Sequence, residues 1–174
     1  MPDDSLSVAI KEAYASAPSD DVILHTIELR HASFATPIRV VRDHQALSAT
    51  LESDAPENPG ETVTFVAFAF NFRLPDANKT TVPEIEITID NASAELIGYL
   101  DVAAQTADMI ELTYRPYLAS DTSAPQMDPP ITLVVREINC DVFRVVARAG
   151  FGDLANKRYP SEIYTSERFP GLFA

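Results

Sequence analysis

The chain has 174 residues, a net charge of −13, 46% hydrophobic residues and a single cysteine, Cys140. That is one ordinary domain with extensions, able to bury about two-thirds of its unfolded surface without a metal or a disulfide. One cysteine excludes an intrachain disulfide, and so acidic a surface argues against a nucleic-acid grip built on counterion release.

The longest apolar runs fall well short of the roughly 18 residues a membrane-spanning helix requires. The acidic start, Met1-Pro2-Asp3-Asp4, lacks the basic-then-apolar layout of an export signal. A soluble chain with no membrane partner, assembled in a reducing cytoplasm, is therefore expected. Asn78-Lys79-Thr80 and Asn91-Ala92-Ser93 match the glycosylation pattern and are read as chance.

Asp4 or Ser5 is placed to cap a short helix ended by Pro18, with Leu6, Ile10, Ala13 and Tyr14 along one face. Asp20 to His31 reads as a long strand, with Ile23, Ile27 and Leu29 on one side and Val22 and Leu24 partly on the other. Pro37 restarts the chain into a second strand, Ile38 to Arg42. His44 to Glu52 is weakly patterned and read as strand, and the prolines and glycine of Ser53 to Gly60 mark a loop. Glu61 to Leu74 is the longest predicted strand. It sets Val66, Phe68, Phe70, Phe72 and Leu74 on one face and Val63, Phe65, Ala67 and Ala69 on the other, which implies burial between layers. Pro75 to Pro83 is a polar loop.

Pro83 to Leu118 carries the plainest pattern, strand, helix, strand. Ile85, Ile87 and Ile89 alternate with polar residues, as do Ile110, Leu112 and Tyr114. Between them, Asn91 or Ser93 caps a helix running to about Gln105. Glu95 sits near its positive end, and Leu96, Leu100, Ala103 and Ala104 form its apolar stripe. Gly98 costs this helix stability and marks a place for close packing on the sheet. The two strands are either a parallel crossover or members of different sheets.

Ala119 to Pro130, with Pro125, Pro129 and Pro130, is long for a connection, and its expected role is contact. Ile131 to Ile138 and Cys140 to Ala149 are two strands around Asn139, which sits at a tight turn or a bulge. Phe143, Val145 and Ala147 form the core face of the second strand, and Val142, Arg144, Val146 and Arg148 a half-exposed one. From Gly150 the pattern stops, yet Phe151, Tyr159, Tyr164, Phe169, Leu172 and Phe173 follow. So aromatic a tail either packs back on its own domain or lies across a neighbour.

No phosphate loop, serine elbow or zinc-protease helix is present. Gly150-Phe151-Gly152-Asp153 lacks a lysine and reads as a turn. His25 and His31 lie six residues apart on one strand, about 20 Å by strand rise, too far for one metal. Asp20-Asp21, Glu84/Glu86 and Asp101/Asp108 read as solvated faces rather than acid–base pairs, and Cys140 as a packing residue. No catalytic, metal or cofactor site is expected.

Several stretches are more specific. Glu111-Leu112-Thr113-Tyr114-Arg115-Pro116-Tyr117-Leu118, Pro125-Gln126-Met127-Asp128-Pro129-Pro130 and Arg148-Ala149-Gly150-Phe151-Gly152-Asp153-Leu154-Ala155-Asn156 resemble a family of phage tail proteins long catalogued as a domain of unknown function. Glu12 to Pro18, Ile23 to Leu29, Ile38 to Asp43, Ile87 to Asn91 and Tyr164 to Leu172 fit too, so the resemblance covers nearly the whole chain.

It implies a place at the tail tip, similar to distal tail proteins of long-tailed phages: a mainly β (α+β) fold, a tail-tube-like β-sandwich or split barrel with one flanking helix. The single domain spans 1–153, including a short N-terminal helix, and an extended C-terminal arm spans 154–174. The implied role is structural and non-enzymatic, a hexameric ring joining tail tube protein to hub proteins, with DNA only passing through the lumen. Its location is the virion, after assembly in the bacterial cytoplasm. Pro125, Met127, Pro129, Phe151, Tyr159, Tyr164, Phe169, Leu172 and Phe173 are the expected interface residues. A tail-completion or hub adaptor of other stoichiometry, or a host-surface binding module, are the alternatives.

Overall fold

In the computed structural model, the described residues are 6–16, 22–73, 84–90, 94–103, 106, 108–141 and 144–152. Among these residues two helices, α1 (Val8–Ser16) and α2 (Ala94–Ala103), accompany nine strands. These are β1 (Ile23–Arg30), β2 (Ile38–Val41), β3 (Leu47–Thr50), β4 (Thr62–Ala67), β5 (Phe70–Arg73), β6 (Glu84–Asp90), β7 (Glu111–Leu118), β8 (Ile131–Cys140) and β9 (Arg144–Gly150). The fold is β-rich α+β, as the patterning predicts.

The strands form one mixed sheet in the order β3-β4-β2-β1-β7-β8-β9-β6-β5. Every pairing is antiparallel except β2 with β4. β4 and β5, near opposite ends of that order, are one stretch of chain with only Phe68 and Ala69 between them. Val40 and Val41 pair with Val66 and Ala67, and the Phe68 amide donates to the Val41 carbonyl at 2.9 Å. Two residues later Phe70 faces Ile89 of β6. The sheet is thereby curled into a split barrel, bridged by a single bent strand. Phe72 of β5 packs inward, its ring 4.9 Å from His25 of β1 and 5.4 Å from Tyr114 of β7.

Alternation then decides what each strand buries. Ile27 and Leu29, Ile85, Ile87 and Ile89, Leu112 and Tyr114, Leu133, Val145 and Ala149 share the interior cluster, joined by Leu100 and Ala103 of α2. A second cluster lies on the opposite face of β1 and β7: Leu24, Val41, Ala49, Leu51, Phe65 and Tyr117. The β3–β4 hairpin folds over that face, so β7 is buried on both sides for seven of its eight residues. Strand 62–73 serves both clusters, with Phe65 in the outer one and Phe70 in the inner one.

Several expectations need correcting. The predicted strand from Glu61 to Leu74 is two strands, and the joint at Phe68-Ala69 changes which parity is buried: Phe65 is fully buried while Val66 is exposed. β6 and β7 are in one sheet but antiparallel, with β9 and β8 between them, so α2 makes no parallel crossover. Gly98 is exposed, and a Cβ there would meet nothing within 4 Å, so close packing is not its reason. Asn139 lies inside β8 opposite Val146; the register shift falls between Val135 and Glu137. Cys140 ends β8 exposed rather than packed.

Helix α1 begins one turn later than Asp4 or Ser5 implies. Ser7 Oγ accepts the Ile10 amide at 3.2 Å and donates to Gln126 Oε1 at 2.7 Å. Ile10 and Ala13 are buried, and Tyr14, though more than half exposed, lies against Tyr114. Asp4, Ser5, Asp20, Asp21, Leu74, residues 75–83, Asn91, Ser93, Ala104, Val142 and Phe143, and the side chains of Glu84, Glu95, Leu96 and Asp101, lie outside the described residues.

Candidate functional site

The outward positions of β1, β2 and β7 carry charges that the β3–β4 hairpin and its loop cover. Glu28, with a fully buried side chain, sits at the centre of this group. Arg39 Nε reaches its Oε2 at 2.7 Å, Arg115 Nη1 lies 3.4 Å from its Oε1, and Arg30 Nε lies 3.6 Å from the same oxygen. Arg115 turns its other edge to Glu52, donating Nε to Oε2 and Nη2 to Oε1, both at 2.7 Å. Arg30 continues to Glu111 at 2.8 Å, and Arg39 to Asn58 Oδ1 at 2.9 Å. Asn58 has φ 55°, a left-handed turn conformation that its short amide tolerates, and it donates to Glu61 Oε2 at 2.7 Å.

Three arginines and two glutamates thus compensate one another beneath the hairpin, with the half-exposed Glu111 at the margin. Burial alone would raise the Glu52 carboxyl, but its bonds to Arg115 and its own backbone amide hold it below the usual range. Burial opposes the Arg115 charge, and the Glu52 bonds and the Glu28 charge outweigh that. Such a group fixes the hairpin's position over β1, β2 and β7.

A second group lines the barrel interior near the split. Tyr114 Oη lies 2.7 Å from His25 Nδ1, and the Phe72 ring stands edge-on to the same imidazole. Burial first, and then the Arg42 charge, push His25 down to about 4, so the ring is neutral at physiological pH. Burial pushes the Tyr114 phenol up, and the adjoining Tyr14 adds to the rise. Beside this group, where residues 42–44 part from residues 68–71, lies an open cleft of about 380 Å³. Arg42, Asp43, His44, Phe68, Ala69, Phe70 and Asn71 line it.

The predicted interface residues scatter. Met127 is a correction: it is buried in the interior cluster and forms a bridge with Leu6, so its side chain is not on the surface. The proline loop is tied down at Gln126, whose amide donates to the Pro116 carbonyl at 2.8 Å, and at Thr122, whose carbonyl accepts Thr50 N–H at 3.0 Å. Pro125 is half-buried, while Pro129 and Phe151 are exposed. Tyr159, Tyr164, Phe169, Leu172 and Phe173 lie outside the described residues. His31 is bound to Ser33, Thr106 and the Asp108 carbonyl, and it joins the end of β1 to the turn after α2. Glu86 pairs across the surface with Arg148, as a solvated face would. Among the described residues no group of three or more His, Cys, Asp or Glu side chains could hold a metal ion.

Sequence reasoning passed over Glu28, Arg30, Arg39, Glu52 and Arg115. Period-two alternation assigns such residues to solvent, and only a covering layer reverses that. The available signal was apolar residues on both faces of strand 62–73, which does imply such a layer.

A protein-family model described as a domain of unknown function (DUF1833) matches residues 9–164, and the chain belongs to that family. A search of curated proteins finds no match. No helix among the described residues is long and apolar enough to cross a membrane.

Proposed function

We propose that the chain is a non-enzymatic structural subunit of a phage tail tip, a distal-tail-like ring, hexameric in form, that joins the tail tube to the hub. The observation carrying this reading is the split barrel with α2 packed on it, bridged by one bent strand. That is the architecture implied by the sequence resemblance of Glu111 to Leu118 and its companion stretches. The net charge of −13 supports a surface along which DNA passes without being held. Exposed Pro129 and Phe151, with the aromatic residues of 154–174, supply contacts between copies and to tube and hub proteins.

Native mass spectrometry and electron microscopy of the full chain, alone and mixed with the tail tube protein of the same genome, test this. Closed six-fold rings seated on tube ends are expected. A chain that neither closes into rings nor joins tubes overturns the reading. Rings of another symmetry favour the adaptor reading instead.

A further inference from the structure

β5 is the last strand of the sheet. One edge pairs with β6, and among the described residues its other edge has no strand partner. An antiparallel ladder engages only alternate backbone groups of each strand, so the second edge of β5 presents N–H and C=O groups toward the cleft. The opposite wall is residues 42–44, which leave the parallel ladder after Val41. The cleft therefore opens between this edge of β5 and residues 42–44, with Phe68 on one side and Arg42 and His44 on the other.

We propose that this edge is a docking groove for an added strand, and that the occupant is the C-terminal segment of a neighbouring copy of the same chain, residues 154–174. Three observations point to the C-terminal segment. The first is position. β9 ends at Gly150 opposite Glu84, while Arg73 of β5 lies opposite Glu86. The chain therefore leaves the barrel at the Arg73 end of β5, and a segment running back along that edge is antiparallel to it.

The second is length: the 22 residues from Asp153 to Ala174 reach about 70 Å when extended. Reaching the chain's own β5 requires crossing only some three strand spacings, about 15 Å. The segment is long enough to span to a second copy. The third is chemistry: Tyr159, Tyr164 and Phe169 match the half-buried Phe68, and Glu162 and Glu167 match Arg42. The trans arrangement rests on the ring reading; the groove itself does not.

Single-cysteine full-length chains test it in a Cys140→Ser background. One carries Asn71→Cys, an exposed position on the groove; the others carry Tyr159→Cys, Glu162→Cys, Tyr164→Cys or Phe169→Cys. On mild oxidation of pairwise mixtures, at least one tail position should link to Asn71→Cys at least tenfold faster than either chain links to itself. Amide exchange at 70–73 should slow as the uncrosslinked chain is concentrated. If none of the four positions links and exchange at 70–73 is unchanged, the groove proposal is wrong. A further chain carrying Asn71→Cys together with one tail cysteine reads the alternative: if linkage forms only within that chain and never between chains, the occupant is the chain's own tail and the proposal is overturned. Rings without linkage remove the groove and leave the ring; linkage without rings does the reverse.

Discussion

Arg115 and Glu52 form a two-pronged ion pair, Nε to Oε2 and Nη2 to Oε1, each at 2.7 Å. It ties the middle of β7 to the residue just beyond β3, and so holds the β3–β4 hairpin against the second apolar cluster. Its partner Glu28 has no exposed side-chain surface. Removing one member leaves buried charge without compensation.

Arg115→Met should therefore destabilise the chain by about 3–5 kcal/mol, measured as a lower urea midpoint. Glu52→Gln, which keeps one neutral hydrogen bond, should cost about 1–2 kcal/mol. The double variant Arg115→Met, Glu52→Leu removes opposite charges together, leaves Glu28 to Arg39 and Arg30, and should recover part of the Arg115→Met loss. A double variant less stable than Arg115→Met would show that the pair adds more than mutual neutralisation.

Stability should fall in acid in two stages. His25 is held at about 4 against an ordinary 6.5, so the unfolded chain binds the extra proton first. Its contribution is complete above pH 6.5 and is lost as pH falls toward 4, an upper bound of about 3 kcal/mol. The ring is partly exposed, and about 1–2 kcal/mol is the expected size after screening. Below pH 4.5 the depressed Glu52 carboxyl adds a second loss, completed under its folded-state value. Urea midpoints at pH 7.5, 6, 5 and 4 for wild type and His25→Gln read the first stage. The variant should be flatter between pH 6.5 and 4, and an unchanged slope would exclude His25 as its source.

Gly98→Ala should stabilise the chain by about 0.5–1 kcal/mol, since α2 gains helix propensity and the new Cβ meets nothing within 4 Å. A loss in thermal melting would show that this exposed surface is needed for packing.

Ser7→Ala should cost about 1 kcal/mol through the lost helix cap, with more from Gln126, whose Oε1 accepts the Ser7 hydroxyl. Ser7→Asp restores the cap acceptor but not the donor to Gln126. Its melting temperature should fall between those of Ser7→Ala and wild type.

Much of the barrel was legible because its strands alternate cleanly: Ile85, Ile87 and Ile89 are buried as their spacing predicts, as are Leu100 and Ala103 of α2. The joint at Phe68-Ala69 was not, because apolar residues continue through it and hide the change of buried face. Met127 misled for a related reason. Its proline-rich neighbours read as a free loop, while long-range hydrogen bonds from Ser7 and Gln126 hold that loop to the body. The charge network was illegible because local alternation carries no information about a hairpin folding over the outer face. The cleft depends on where two segments separate, 42–44 from 69–71 beyond the paired Val41 and Ala67, a tertiary event without a local pattern.

The shared strand from Thr62 to Arg73 has a consequence for how the molecule comes apart. Its first half closes the outer cluster and its second half the inner one, so neither can open without straining the two-residue joint between them. The two clusters should therefore lose amide protection together rather than in sequence when exchange is followed residue by residue. Ala69→Pro should uncouple them, so that protection is lost in two stages.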